Sequence, residues 1–360
     1  MNRTKLDIFF KNNPEVDALI SEAPQTRLWY AGVETTDGYI IIERDKATLF
    51  VDGRYIEYVR ANAKNVEVRL LERTKNGSSI KRFFDEKQFK KIALEKDYLI
   101  KSVENYLLAL TNLTVNDVVW VSAQELRILK SKEELEILQE AVNISLKSLE
   151  ELKQWIKPGM NEKEVAAKLN YLLKMNGADK EGFDEIVAAA KYASEPHHHP
   201  NKNNLIVDNH LLKVDFAARY KGYTADITRT FVVGDPEKTN PELLKILKIV
   251  EESAAEGRKI VRPGIKASEI DRVCREYIES KGYGQYFVHS TGHGLGIDVH
   301  EFPSVSASSD VILEPGMVLT VEPGIYIEGL GGARNEDDVV VTEDGYYVLS
   351  KPEEKKNNFF

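Results

Sequence analysis

VDFAARYKGYTADITRT, residues 214–230, reads as two β-strands joined by a turn, with one acid in each apolar run. Leu211–Asp215 is the first run, and Tyr220-Lys221-Gly222-Tyr223 makes the turn. Asp226 then opens the second run, Ile227–Val233. A little over about 100 residues later the pattern returns. There Val318–Glu322 ends in an acid, Pro323–Gly332 turns, and Glu336 precedes Val339–Thr342. Working upstream, each hairpin follows a helix stop, Ile156-Lys157-Pro158-Gly159 or Val261-Arg262-Pro263-Gly264. After each stop a helix restarts, with Glu164 or Glu269 at the sixth position past the proline and Gly177 or Gly282 at the nineteenth. A duplicated helix–helix–hairpin unit with pseudo-two-fold symmetry accounts for all of this. Chance recurrence of Pro-Gly helix stops is the competing explanation, and the recurring acids weigh against it.

The first third has another grain. Ala18–Ser21, Tyr39–Glu43, Ala47–Val51, Val66–Leu71, Lys91–Leu94 and Val118–Val121 read as strands, and Arg54–Ala63 and Ser78–Phe84 as helices. This is an α/β domain, without a metal-ligand cluster or a Gly-rich strand–helix junction. A charged amphipathic stretch from Lys130 to Ile156 follows, with Leu135, Leu138, Ala141, Val142 and Leu149 at helical spacing. The boundary is expected near residues 122–130, dividing the chain into 1–125 and 126–360.

Composition narrows the function. At 360 residues the chain can build two proper cores. A net charge of −9 and no basic run argue against nucleic acid. No apolar run reaches the roughly 20 residues that span a bilayer, and the N-terminus carries no signal-peptide pattern. A cytoplasmic protein is the expectation. The single cysteine, Cys274, excludes an intrachain disulfide and reads as a buried core residue.

An acid in an apolar strand is costly to bury unpaired. A salt bridge to Arg229 or Arg334 would explain one such acid, but not four in repeated positions. Asp215 and Asp226 are expected to meet across their ladder, and Glu322 and Glu336 likewise. Four packed carboxylates repel one another, and two divalent cations would balance them. HSTGHGLGIDVHEFP, residues 289–303, holds three of the seven histidines, and His197, His198 and His199 form a second cluster. His293, between Gly292 and Gly294, is the best nitrogen ligand. Oxygen donors with one imidazole suit Mn²⁺ first, with Co²⁺, Fe²⁺ or Zn²⁺ also compatible. Paired ions about 3.5–4 Å apart can share a hydroxide and polarise a carbonyl or phosphoryl oxygen, which is hydrolase chemistry.

The stretches 214–230, 289–303 and VEPGIYIEGLGGARNEDD (321–338) resemble the motifs of the M24 metallopeptidases, in the branch of Xaa-Pro aminopeptidases and Xaa-Pro dipeptidases (prolidases). ATLFVDGRY (47–55) is similar to the creatinase/prolidase N-terminal domain. The resemblance implies a pita-bread (creatinase/aminopeptidase) α+β fold, internally duplicated, behind an N-terminal α/β domain. By the same resemblance Asp226 and Glu336 bridge two metals, Asp215 holds one, and His293 with Glu322 holds the other. Glu322 also acts as general base. His197 lies near the scissile carbonyl, His289 and His300 contact substrate and intermediate, and Arg334 supports the acids. His198 and His199 read as polar loop residues. One departure is Ala188-Ala189-Ala190-Lys191, expected in the wall of the substrate pocket where the family is Ser/Gly-rich.

The implied activity is removal of the residue that precedes proline at a peptide N-terminus, through a metal-bridging hydroxide. The partners expected are small peptides with proline in second position, with a homodimer as the assembly. Dipeptidase activity is the nearest alternative. A methionine aminopeptidase would lack the first domain, and a creatinase would lack the five-ligand set. A non-catalytic pita-bread binding module would be expected to have lost ligands.

Overall fold

The computed structural model describes residues 1–74 and 77–351. They divide into two units, one through Arg127 and one from Ile128 onward. The first contains helices α1 (Thr4–Asn12), α2 (Pro24–Ala31), α3 (Ile56–Asn62), α4 (Ser79–Lys87), α5 (Lys101–Thr111) and α6 (Ala123–Leu126). Its strands are β1 (Ala18–Ser21), β2 (Tyr39–Ile42), β3 (Ala47–Val51), β4 (Glu67–Leu70), β5 (Arg73–Thr74), β6 (Gly77–Ser78), β7 (Ile92–Glu95) and β8 (Val118–Val121). The six expected strands form one sheet in the order β4-β3-β2-β1-β7-β8, with β2 antiparallel to its neighbours. Helix α2 gave no periodic signal, because Thr26 through Ala31 are all buried and it has no polar face to read.

Glu95 closes β7 at 3% exposure, accepting hydrogen bonds from Ser21 and Thr26. Burial pushes its carboxyl pKa up. A carboxyl raised on folding loses stability as pH climbs above its unfolded value of about 4.3. Glu95→Gln, which removes the charge and keeps an acceptor, is therefore expected to raise the melting temperature at pH 7. Near pH 4 it should change little. Equal shifts at the two pH values in a scanning-calorimetry comparison would contradict the buried-charge explanation.

The second unit is built twice. Its first half contains α7 (Lys132–Trp155), α8 (Glu162–Met175), β9 (Lys180–Glu181), β10 (Ile186–Ala189), β11 (His210–Phe216), β12 (Ala218–Tyr220), β13 (Tyr223–Thr224) and β14 (Ile227–Val233). Its second half contains α9 (Pro241–Lys259), α10 (Ala267–Ser280), β15 (Gly292–Gly294), β16 (Glu301–Val305), β17 (Val318–Val321), β18 (Gly324–Ile327), β19 (Gly331–Arg334), β20 (Asp337–Val341) and β21 (Tyr346–Val348). The halves supply sheets β10-β11-β14 and β16-β15-β17-β20-β21, with the small sheet β13-β12-β9 and the ribbon β18/β19 beside them. Both Pro-Gly stops need glycine, since Gly159 and Gly264 sit at φ 88° and 85°. Glu164 makes the capping box of α8 with Asn161, whereas Glu269 in the first turn of α10 follows Lys266, which supplies no side-chain cap. Helices α9 and α10 lay Leu243, Ile246, Val250, Ile270 and Ile278 on Leu319, Val321, Val339 and Val341 of the second sheet. Cys274 is fully buried there, its thiol pushed up to about 12 by desolvation.

The acids do not pair quite as their hairpins suggest. Asp215 faces Thr228 across the β11–β14 ladder, so Asp226 is its diagonal neighbour two residues on. In the second half Val321 faces Asp337, and one further step sets Glu322 against Glu336. Aligning Asp226 with Glu336 therefore places Asp215 two residues before the counterpart of Glu322. The two halves agree in backbone register and differ in which step carries the acid.

Candidate metal centre and cavity

Both hairpins open on a cavity of about 400 Å³ in the second unit. Asp215, Asp226, His293, Glu322 and Glu336 all line it, as do His197, His198, His199, His289, His300 and Arg334. Asp226 and Glu336 each sit one residue ahead of a strand, and Glu322 one residue past one. Backbone bonds hold these positions: Glu336 N–H donates to Thr228 O (3.1 Å) and Glu322 N–H to Thr291 O (2.8 Å).

His293 stands at the centre of a narrow strand. A Cβ on Gly292 would lie 2.2 Å from Thr320 O, and one on Gly294 2.0 Å from Phe302 O. These glycines let β16 and β17 close on either side of His293, so the close approach is by backbone. His293 Nδ1 lies 3.0 Å from Gly294 O, which makes it the protonated nitrogen. That leaves Nε2 facing Glu322 (3.3 Å) and Asp226 (3.5 Å). Burial works against its charge, but bonding to Glu322 outweighs this and raises the pKa.

The carboxylates are crowded. Asp226, His293 and Glu336 each offer a ligand atom within 4.8 Å of the others. Burial and mutual repulsion push Asp226 and Glu336 well above the usual carboxylate range. Burial pushes Glu322 the same way, but His293 and Arg334 hold it low. Arg334, 3% exposed, ion-pairs Asp215 and donates to Thr228 Oγ1 (3.0 Å), Tyr326 OH (3.1 Å) and Pro196 O (3.2 Å). Asp215 Oδ1 is buried without a hydrogen-bond partner. An orphaned carboxylate oxygen, three converging donors and acids that repel fit a divalent-cation site.

The histidines divide by environment. His300 packs its ring edge-on to His293, with centroids 4.3 Å apart, and desolvation lowers its pKa. His289 lies against Tyr326 OH through Nε2 (2.9 Å) and Ser290 O through Nδ1 (2.7 Å), and burial lowers its pKa too. Both of its ring nitrogens are engaged by the protein. His197 and His199 are exposed, and His198 lies in the same loop but is buried rather than facing solvent. It is 6% exposed, set between Glu162 (2.8 Å) and Glu195 (2.6 Å), and stacked on Tyr192. A neighbouring pair of identical residues on a turn sends its side chains to opposite sides, and no local signal says which one enters the core.

The Ala188–Lys191 stretch is also displaced from its expected place in the pocket wall. Ile186 faces Asp215 across the ladder, and Ala189 faces Leu212, so β10 runs away from the cavity. Phe183, Asp184 and Ile186 form that wall. Sequence reading also missed Thr228 and Tyr326, which sit inside the quoted motifs as neutral hydroxyls and acquire a role only through Arg334.

Residues 136–343 match metallopeptidase family M24, and residues 11–128 match the creatinase/prolidase N-terminal domain. The chain is 36% identical over 354 residues to a Xaa-Pro dipeptidase of Pyrococcus furiosus, covering 96% of each chain. Its structure is similar to that of a Xaa-Pro dipeptidase from Bacillus anthracis, with TM-score 0.87, 34% identity and 96% of each chain covered. It is also similar to an X-Pro aminopeptidase from Thermotoga maritima, with TM-score 0.84 and 32% identity over 93% of this chain and 95% of that one. No helix among the described residues is long and apolar enough to cross a membrane. A duplicated pita-bread unit preceded by a creatinase-like domain, and relatives alike over nearly their whole length, place this chain in the M24 metallopeptidase family as a hydrolase.

Proposed function

We propose that the protein is an aminopeptidase that releases the first residue from peptides with proline in second position. The carrying observation is the charge of the cavity wall. Five acids line it, Asp184 among them, and Arg334 is the only lysine or arginine among the described lining residues. That guanidinium is already committed to Asp215, Thr228, Tyr326 and Pro196. With the metal ions balancing the other four, Asp184 is the acid left to meet a peptide ammonium group. A dipeptide's carboxylate, which every Xaa-Pro substrate must bring in, finds no free fixed cation there.

Asp226 and Glu336 would be shared by two divalent ions, with Asp215 serving one and His293 and Glu322 the other. When bound, the ions supply Lewis-acid polarisation and a reactive water near neutral pH. The chain's own residues do the rest. Glu322, kept ionised by Arg334 and His293, is placed to take a proton from the attacking water and return it to the leaving proline nitrogen. His300, largely neutral, offers an imidazole beside His293. His197 offers another from the facing segment. His289 acts through Tyr326, whose hydroxyl it shares with Arg334.

The dipeptidase reading draws support from the names of the Pyrococcus and Bacillus relatives. A panel of Xaa-Pro, Xaa-Pro-Yaa and Xaa-Ala-Yaa peptides with Mn²⁺, Co²⁺ or Zn²⁺ separates the two. Xaa-Pro-Yaa should give a kcat/KM about tenfold or more above Xaa-Pro, the ratio that one unmatched buried carboxylate would produce. Preference for Xaa-Pro would establish the dipeptidase instead.

A further inference from the structure

Lys213 lies on β11 two residues before Asp215, in a strand otherwise lined by Leu211, Leu212, Val214 and Phe216, and none of its surface is exposed. An ammonium group carries three donors and no acceptor. Here they meet three backbone carbonyls, Glu195 O at 2.6 Å, Pro196 O at 3.2 Å and Ala193 O at 3.3 Å. The charge also stands 5.0 Å from the centre of the Tyr326 ring. Arg334 shares the Pro196 carbonyl at 3.2 Å, so two buried cations lie side by side. Desolvation and that like charge both work against Lys213. A position that needed only to fill the core would be better served by an apolar side chain.

What the cation holds explains its presence. The three carbonyls belong to the segment that ends at His197. That segment enters through Ala190 at φ 52° and lies so close to β19 that a Cβ on Gly332 would come 2.4 Å from Ala193 O. Its far side is fastened by His198 between Glu162 and Glu195. His197 projects between these two fastenings, exposed to the cavity.

We propose that Lys213 is a positioning residue whose buried ammonium fixes the carbonyls of Ala193, Glu195 and Pro196 and so sets His197 against the bound peptide. The inference rests on the peptidase reading only for what His197 touches. Lys213→Met keeps the stem and removes the donors. We expect KM for an Xaa-Pro-Yaa peptide to rise about tenfold with kcat changed less than about threefold, as loss of ground-state positioning implies. Bound Mn²⁺ per chain should not change. Amide exchange across residues 190–199 of the metal-free protein should accelerate about tenfold or more while the melting temperature holds. Lys213→Ala should show the same defects, and propylammonium in the buffer should reverse them. Wild-type KM and exchange in Lys213→Met would overturn the proposal. So would a uniform rise in exchange with a lowered melting temperature, or failure of both variants to fold, because Lys213 would then serve only the core. If the wild-type protein cleaves none of the peptides, the peptidase reading fails, and the exchange measurement still decides the role of Lys213.

Discussion

Replacing Glu336 by alanine is expected to release at least one metal ion per chain and to lower kcat/KM by about three orders of magnitude or more. Glu336 sits where the two hairpins converge. It accepts from Thr228 Oγ1 at 2.7 Å and shares the three-residue cluster with Asp226 and His293. Asp226→Ala should behave the same way, since that residue completes the cluster from the other half. The metal-free protein should respond with the opposite sign. Burial and its neighbours Glu322 and Asp215 disfavour the charge on Glu336. Glu336→Gln keeps the shape and removes one of four crowded charges, so it should raise the melting temperature of the metal-free protein. Metal content after dialysis, turnover on an Xaa-Pro-Yaa peptide and calorimetry in a chelator check the three parts. Full activity in either alanine variant would refute the shared-ligand assignment.

Replacing the next residue, Asp337, by alanine is expected to destabilise the second unit by about 3–5 kcal/mol, the cost of orphaning a buried ion-pair partner. Asp337 is fully buried and accepts from Arg258 (2.8 Å), Arg229 (2.7 Å) and Ser350 (2.7 Å). Arg258 is 1% exposed, so it could not regain water if its partner were lost. Burial alone would raise the Asp337 carboxyl, but these cations hold it far below the usual range. Replacing both Asp337 and Arg258 by apolar residues should recover part of the loss, because Arg258 is then no longer stranded although Arg229 still loses its carboxylate. Chemical denaturation of the single and double variants measures this. Additive losses would show that the two side chains do not act as a pair.

Glu336 and Asp337 stand side by side with contrary roles. They point to opposite faces at the start of β20, one into the cavity with other acids and one into a cage of arginines. Sequence marks both as acids in an apolar run. Only the three-dimensional neighbours say that one is crowded with like charge and the other surrounded by opposite charge.

The same division runs through the rest of the site. His293 was legible because its flanking glycines are a local feature, although they serve strand packing. His198 was not, because its partners Glu162 and Glu195 come from helix α8 and from the loop itself. Lys213 was not, because a lone lysine in an apolar strand has no local sign of what it holds. The wall was assigned to Ala188–Lys191 and lies at Phe183–Ile186, since only the pairing of β10 with β11 tells which end of the strand meets the cavity.

By itself, the amino-acid sequence determined the duplication, the α/β character of the first third, and the recurrence of four acids in two apolar hairpins. Those follow from periodicity, turn chemistry and the cost of burying an acid, all of which are local or recur at a fixed offset. Tertiary structure alone decided the diagonal pairing of Asp215 with Asp226, the commitment of Arg334 and the clasp of Lys213 on the His197 segment. Each depends on charges and carbonyls brought together from more than one element, and an interaction between distant residues leaves no period in the chain.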